Sequence, residues 1–402
     1  MALDPGTLAM LIDGVRSFVE NECMPLEREI AERDEVPQSL VAQMRELGLF
    51  GFAIPEEYGG LGLNMEEEVL LVFELSKTSP AIRSVVGTNN GIGAQALVLA
   101  GTEQQKQRYL PRLAAGEIIS SFALTEPEAG SDAASVRTSA AQDGDSFILN
   151  GTKRFITNGP HAGLLTVFAR TEPDKSGADG ISAFLVEAPC PGLTRGKPER
   201  KMGQQGAHVC DIVFDNCRVE SAALIGVRGQ GFRTAMQVLD RGRLHISAVC
   251  VGIAERLIAE GVRYALERKQ FGRPIGEFQL VQAMLADSRA EALAARCMVL
   301  ATARKRDQAE PIGPEAACCK MFASEMVGRV ADRVVQIFGG AGYIADYGIE
   351  RFYRDVRLFR LYEGTTQIQQ LVIARHMLQE ARAETAYDLL TQRKEDWEGD
   401  ET

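Results

Sequence analysis

No C-x-x-C pair, no dense run of lysine and arginine and no apolar stretch of membrane-spanning length occurs in the 402 residues of this chain. Each absence removes a class of function. Eight cysteines scattered from Cys23 to Cys319 without a ligand-spaced pair read as reduced, mostly buried thiols of a cytosolic or equivalent compartment. The four histidines, His161, His208, His245 and His376, are far apart in sequence and never meet a cysteine or each other at metal-ligand spacing, so no metal site is expected and each reads as structural. A formal charge of -11 with no basic cluster argues against nucleic acid or an anionic membrane surface as the main partner. The start, Met1-Ala2-Leu3-Asp4-Pro5, has neither a basic n-region nor an apolar h-region. The expectation is an untargeted, cytoplasmic, soluble protein without membrane insertion, with a processed mitochondrial matrix form left open.

What is present is ordinary globular material, 45% hydrophobic and 25% charged, in a chain long enough for two or three domains. Helical spacing dominates residues 1–120, as in Leu8, Leu11, Val15 and Phe18. Residues 121–231 change character: short β-prone runs such as 147–149, 164–168, 181–186 and 211–214 are separated by turn residues at Asp143-Gly144, Asn150-Gly151, Asn158-Gly159-Pro160 and Pro191-Gly192. That spacing suits an antiparallel sandwich or barrel, with 172–180 as a solvated hairpin loop. Helical period returns over 232–386, where Phe322, Met326, Val330, Val334 and Ile337 form one apolar stripe, a bundle core, stopped by Gly339 and Gly340. A charged tail, 387–402, follows.

Glu363 stands in Leu361-Tyr362-Glu363-Gly364-Thr365-Thr366-Gln367. A carboxylate between bulky apolar residues and a glycine is poorly solvated on one side, which raises its pKa and suits a general base. A helix-capping glutamate reads equally well from this run alone. Two distant segments decide between them. Ala123-Leu124-Thr125-Glu126-Pro127-Glu128-Ala129-Gly130-Ser131-Asp132 has the hydroxyls and turn chemistry of a binding loop. Gln336-Ile337-Phe338-Gly339-Gly340-Ala341-Gly342-Tyr343 ends a helix in glycines. With Pro55 to Gly62, Asn150-Gly151-Thr152-Lys153, Ile156-Thr157-Asn158 and Arg268-Lys269-Gln270-Phe271-Gly272, this ordered set resembles the acyl-CoA dehydrogenase family of flavoenzymes over nearly the whole chain. Gly340 to Ala345 also fits the dinucleotide fingerprint G-x-G-x-x-A, but that motif has meaning between a strand and the helix it opens, and here it closes a helix. The segment 192–197 is one residue short of a P-loop.

The resemblance implies an α+β fold: an N-terminal helical domain, a central antiparallel β domain and a C-terminal four-helix bundle. It implies FAD as cofactor and an acyl-CoA thioester as substrate, with Glu363 removing the α-proton as the β-hydride leaves for the flavin. The donors for the thioester oxygen would be the Glu363 backbone N–H and the flavin's ribityl hydroxyl. Phe122, Leu124, Thr125, Gly130 and Ser131 match the segment lining the flavin ring; Phe155, Ile156 and Thr157 fall where the family stacks an aromatic, often tryptophan, and bonds N5. Arg268, Gln270, Phe271, Gln336, Ile337, Phe338, Gly339 and Gly340 match segments that hold the pyrophosphate and adenine across a subunit boundary, implying a homotetramer. Thr365 and Gln367 complete the flavin site, and Ser131, Asp240, Arg243 and Gly364 match thioester contacts. Some members carry the base at the position of Gly242, which cannot serve. Arg83 falls where glutaryl-CoA dehydrogenase binds its substrate's distal carboxylate; a short or branched acyl chain is the default and an ω-carboxylate the alternative. Electron-transferring flavoprotein is the expected acceptor, favoured over dioxygen because the long C-terminal extension of the oxidases is missing. A flavin-binding scaffold without turnover is disfavoured by the presence of Glu363.

Overall fold

The structure, a computed structural model, describes residues 3–399. Helices come first: α1 (Pro5–Phe18), α2 (Glu27–Arg33), α3 (Gln38–Glu46), α4 (Met65–Leu75), α5 (Pro80–Thr88), α6 (Gln95–Ala100) and α7 (Glu103–Ala114). Their starts are written into the sequence. Asp4 Oδ1 accepts the Gly6 and Thr7 N–H groups, and Asn64 with Glu67, then Thr102 with Gln105, form reciprocal capping boxes. Val15 and Phe18 of the expected amphipathic face are buried, with Leu8 and Leu11 half-buried beside them.

The strands β1 (Ser120–Ala123), β2 (Ser139–Asp143), β3 (Ser146–Thr157), β4 (Leu164–Arg170), β5 (Ile181–Glu187), β6 (Leu193–Arg195), β7 (Val209–Glu220) and β8 (Leu224–Ile225) form one sheet. Its order is β6-β7-β3-β2-β4-β5-β8, with β1 beside β4. Pairing is antiparallel except where β1 and the first residue of β2 run parallel to β4. The 172–180 segment is the β4–β5 connection, and Arg170 gathers its carbonyls, donating to those of Lys175, Gly177 and Asp179 at 3.0 Å each. The β3–β7 register shifts between Lys153 and Ile156, and Phe155, inside that bulge, takes φ 57° and stays 56% exposed. A bulge re-aims a side chain, here an aromatic ring.

Helix α8 (Gly231–Glu267) follows, then a small hairpin of β9 (Lys269–Gln270) and β10 (Arg273–Pro274), and α9 (Gln279–Asp307), α10 (Gly313–Phe338), α11 (Gly340–Tyr343), α12 (Ile349–Val356) and α13 (Thr366–Gly399). Helices α8, α9, α10 and α13 pack as the C-terminal bundle. In α10, Met326, Val330, Val334 and Ile337 are buried and Phe322 packs against the core. The break after α10 is narrower than expected: Gly339 alone, at φ 59°, ends it, and Gly340 opens the four-residue α11. Helix α13 also carries most of the segment read as a charged tail, to Gly399; residues 400–402 lie outside the described residues. The helical layers share a core in which Met44 and Phe73 lie with Val249, Ile253, Val330 and Phe352. A buried ion pair from Arg351 to Glu27, at 2.8 Å, ties α12 to α2. The observed fold is the α+β, helical–β–helical arrangement that the resemblance implied.

Candidate active site

A cavity of about 670 Å³ lies where α5, β1, β3, α8 and the turn at Glu363 converge. The chain from Leu124 to Asp132 forms one wall and is pinned from beneath. Lys153, fully buried on β3, donates to the Leu124 carbonyl at 3.1 Å and pairs with Glu126 at 2.7 Å, while Glu126 accepts the N–H groups of Arg137 and Thr138 at 2.6 and 2.9 Å. A buried cation and carboxylate with their hydrogen bonds satisfied make a stiff loop. Of the residues singled out above, Phe122, Leu124, Thr125, Gly130, Ser131, Phe155, Ile156, Thr157, Arg83, Arg243, Glu363 and Gly364 all line this cavity.

Glu363 sits at φ 55° and Gly364 at φ 89°, a tight reversal between the turn at Arg357–Arg360 and α13. The left-handed conformation is routine for glycine and costly for glutamate, so its surroundings must impose it. Gln369 Nε2 donates to the carbonyls of Glu363 and Gly364, each at 3.1 Å, and Lys320 Nζ donates to that of Gly364 at 2.5 Å. Among the described residues no protein acceptor takes the Glu363 N–H, and its Oε2 has no hydrogen-bond partner. A Cβ built on Gly242 would come within 2.3 Å of that Oε2. Glycine on α8 therefore makes the space the carboxylate occupies. Glu363 opens on the cavity but is enclosed by protein on its other sides. Burial pushes its pKa up to about 7, with the cations Arg83, Arg243 and Lys320 pulling the other way.

Arg83 is 8% exposed and has no carboxylate within ion-pair distance among the described residues. Its Nη2 lies 2.5 Å from His245 Nδ1, and its Nε is unpartnered. Because guanidinium only donates, Nδ1 must accept and the histidine proton sits on Nε2, itself buried without a partner. Burial, then Arg83 and Arg241, hold His245 neutral by pushing its pKa well down. Gly87 clears the way: a Cβ there would meet Arg83 Cζ at 2.4 Å. Arg243 is paired with Asp240 at 2.7 Å.

The remaining residues are not gathered here. Arg268, Gln270 and Phe271 are on or beside the β9–β10 hairpin, with Phe271 92% exposed; Gln336, Ile337, Phe338, Gly339 and Gly340 are at the end of α10, and Phe338 is buried and stacked on Tyr264 at 4.0 Å between centroids. Thr365 Oγ1 caps α13 by accepting the Ile368 N–H, and Gln367 is exposed. Sequence reasoning missed Lys320, Gln369 and His245. Lys320 had a signal, since it shares a helical face with Ser324, Val327, Ala331 and Val334, all buried, where a charge is out of place. Of the four histidines, far apart in sequence and read as structural, His245 lines the cavity, and His161 and His208 are brought within 3.2 Å.

The cavity suits a flat group with polar edges. Phe155 offers a ring beside it, and the hydroxyls of Thr125, Thr157 and Ser131, which also line it, have no protein partner among the described residues. Along the chain, residues 6–117, 121–217 and 229–378 match the N-terminal, middle and C-terminal domains of acyl-CoA dehydrogenase. An acyl-CoA dehydrogenase of Bacillus subtilis (strain 168) is 42% identical over 364 residues, 90% of this chain and 96% of its own. A chain solved in work on the electron transferring flavoprotein of Acidaminococcus fermentans superposes with a TM-score of 0.90 at 40% identity, covering 92% of this chain and 97% of that one. Butyryl-CoA dehydrogenase from Megasphaera elsdenii gives a TM-score of 0.90 at 35% identity over 94% and 99% of the two chains. This chain belongs to the acyl-CoA dehydrogenase family. Its members are FAD-dependent oxidoreductases acting on CH–CH groups.

Proposed function

We propose that the protein desaturates a short or branched acyl-CoA thioester between its α and β carbons, with Glu363 as the base. The observation that carries this reading is Glu363 on the cavity wall, its carboxylate seated in the gap left by Gly242 with Oε2 buried and unpartnered. FAD, when bound, supplies the acceptor for the β-hydride. The chain's own residues do the rest. The Glu363 carboxylate takes the α-proton; the free Glu363 N–H stands ready for the thioester oxygen, where negative charge grows. Thr125, Thr157, Ser131 and Phe155 would hold the flavin ring, and Arg243 with Asp240 the thioester end. A base must be ionised, and a carboxyl with pKa about 7 is ionised above neutrality, so kcat/KM falls as pH drops below about 7.

The reading extends to a homotetramer whose neighbouring copy covers Phe271 and completes the adenine end of the cofactor site, to electron-transferring flavoprotein as acceptor and to a cytoplasmic setting. No described helix is long and apolar enough to cross a membrane. A second substrate class, with an ω-carboxylate, is favoured by one observation, the buried Arg83, which has no carboxylate partner among the described residues. A panel of acyl-CoA esters assayed with a dye acceptor tests both readings. Butyryl-CoA should bleach the flavin colour and turn over; a yellow preparation that no ester bleaches would leave only a flavin-binding scaffold.

A further inference from the structure

Lys320 is fully buried on α10, yet it forms no ion pair among the described residues and does not line the cavity. Its hydrogen bond is the one to the Gly364 carbonyl. Burying an ammonium costs far more than burying a methionine of the same length, and one carbonyl is thin compensation. Helix α10 would pack as well with an apolar residue there. A cation kept against that cost marks a site where packing is not the only demand.

The demand is visible one residue away. The reversal at Glu363 and Gly364 places two successive residues at positive φ, which a flexible chain would relax. Lys320 and Gln369 grip it from behind, by the Gly364 carbonyl and by the Glu363 and Gly364 carbonyls respectively. With the carbonyls tied back, the Glu363 N–H and carboxylate are left to the cavity. We propose that Lys320 is a positioning residue for Glu363, clamping the turn through the Gly364 carbonyl and setting a positive charge behind the base. This rests on Glu363 being the base. The charge acts with those of Arg83 from α5 and Arg243 from α8, while Tyr362 lies on the same turn; around Lys320 itself stand Cys250 and Arg243 of α8 and Glu325 of α10. Burial lowers the pKa of Lys320 to about 8, so it remains charged at neutral pH.

Three variants separate clamp from charge. Lys320→Gln keeps a donor and removes the charge; Gln369→Met removes a donor and no charge; Lys320→Met removes both. With each FAD-loaded enzyme, kcat, KM and the pH profile of kcat/KM are measured on one acyl-CoA ester. Removing a neighbouring cation disfavours the ionised carboxylate, so Lys320→Gln should move the acid limb up by about one unit. Gln369→Met should lower kcat about tenfold and leave the limb in place, since the turn loosens without a change of charge. Lys320→Met should do both, lowering kcat about 100-fold with KM and FAD content near wild type. A wild-type acid limb in Lys320→Gln overturns the electrostatic half, and a wild-type kcat in Lys320→Met overturns the clamp. Should Lys320→Met not fold, a wild-type kcat in Gln369→Met overturns the clamp instead. Glu363→Gln is run alongside: full activity in that variant sinks the base assignment itself, a failure distinct from either result at Lys320.

Discussion

Around Glu363 a single chain finishes its work: the carboxylate, the gap at Gly242, the pinned wall from Leu124 to Asp132 and the re-aimed Phe155 are all in place. At the β9–β10 hairpin it does not, for Phe271 points its ring outward at 92% exposure, and Tyr343 near the end of α10 is 82% exposed. Both regions carry motif residues, and they differ in what holds them. The first is fixed by buried polar groups whose partners lie in the same chain, the second by little beyond its own turn. On the function proposed above, the chemistry at Glu363 would come from one chain, whereas the open hairpin would be completed by a second copy.

The sharpest way to test the first region is to remove basicity and keep shape. Glu363→Gln should lower turnover at least ~100-fold, with FAD content and thioester binding nearly unchanged. Stopped-flow bleaching with butyryl-CoA measures it, and a slight drop would mean that the base lies elsewhere.

Gly242→Ala asks whether the gap matters. Alanine favours a helix over glycine by about 1 kcal/mol, so stability should hold, apart from whatever the contact with Ile92 subtracts. The new methyl must displace the Glu363 carboxylate, and a misplacement near 1 Å costs on the order of 100-fold in rate. An unchanged kcat with an unchanged Tm would show that the carboxylate works from another position.

These effects follow unevenly from sequence. The layer order was legible because helical and strand periods change sharply near residues 120 and 231, and the wall at Leu124 to Asp132 because hydroxyls and turn residues cluster there. Glu363 stood out by its flanks. What periodicity cannot carry is long-range contact: the gap at Gly242 has meaning only against a residue far along the chain, and Gln369 looks like any helical glutamine until its amide is seen on the Glu363 and Gly364 carbonyls. His245 was read as one of four scattered histidines because nothing local announces Arg83, from a helix 162 positions away.

The second region is tested by burying nothing on it. Phe271→Ala on the hairpin should weaken FAD retention roughly 30-fold, the scale of a buried aromatic anchor at an interface, and favour smaller assemblies. Light scattering with FAD absorbance reads both. A wild-type protein that is monomeric and FAD-saturated would erase the contrast between the two regions.

Arg83 gives the smallest expected effect and the finest division, because it belongs to the completed region yet has no acidic partner there. Two roles are open to a buried guanidinium facing both the cavity and Glu363. As a binder of an ω-carboxylate it would be matched by the substrate alone, and a methyl-terminated chain would leave it unpaired. As a neighbour of the base it favours the ionised Glu363 whatever the acyl tail, being the first of three cations that oppose burial there. Arg83→Met separates them. In the first role kcat/KM for glutaryl-CoA falls about tenfold or more, the loss of one charge-assisted pair, and butyryl-CoA is unchanged or improved. In the second, both esters lose equally and the acid limb of both profiles moves to higher pH, since removing a cation raises the pKa of the carboxyl that must be ionised. An equal loss with a shifted limb would place Arg83 with the catalytic turn and return the substrate to the short or branched acyl class.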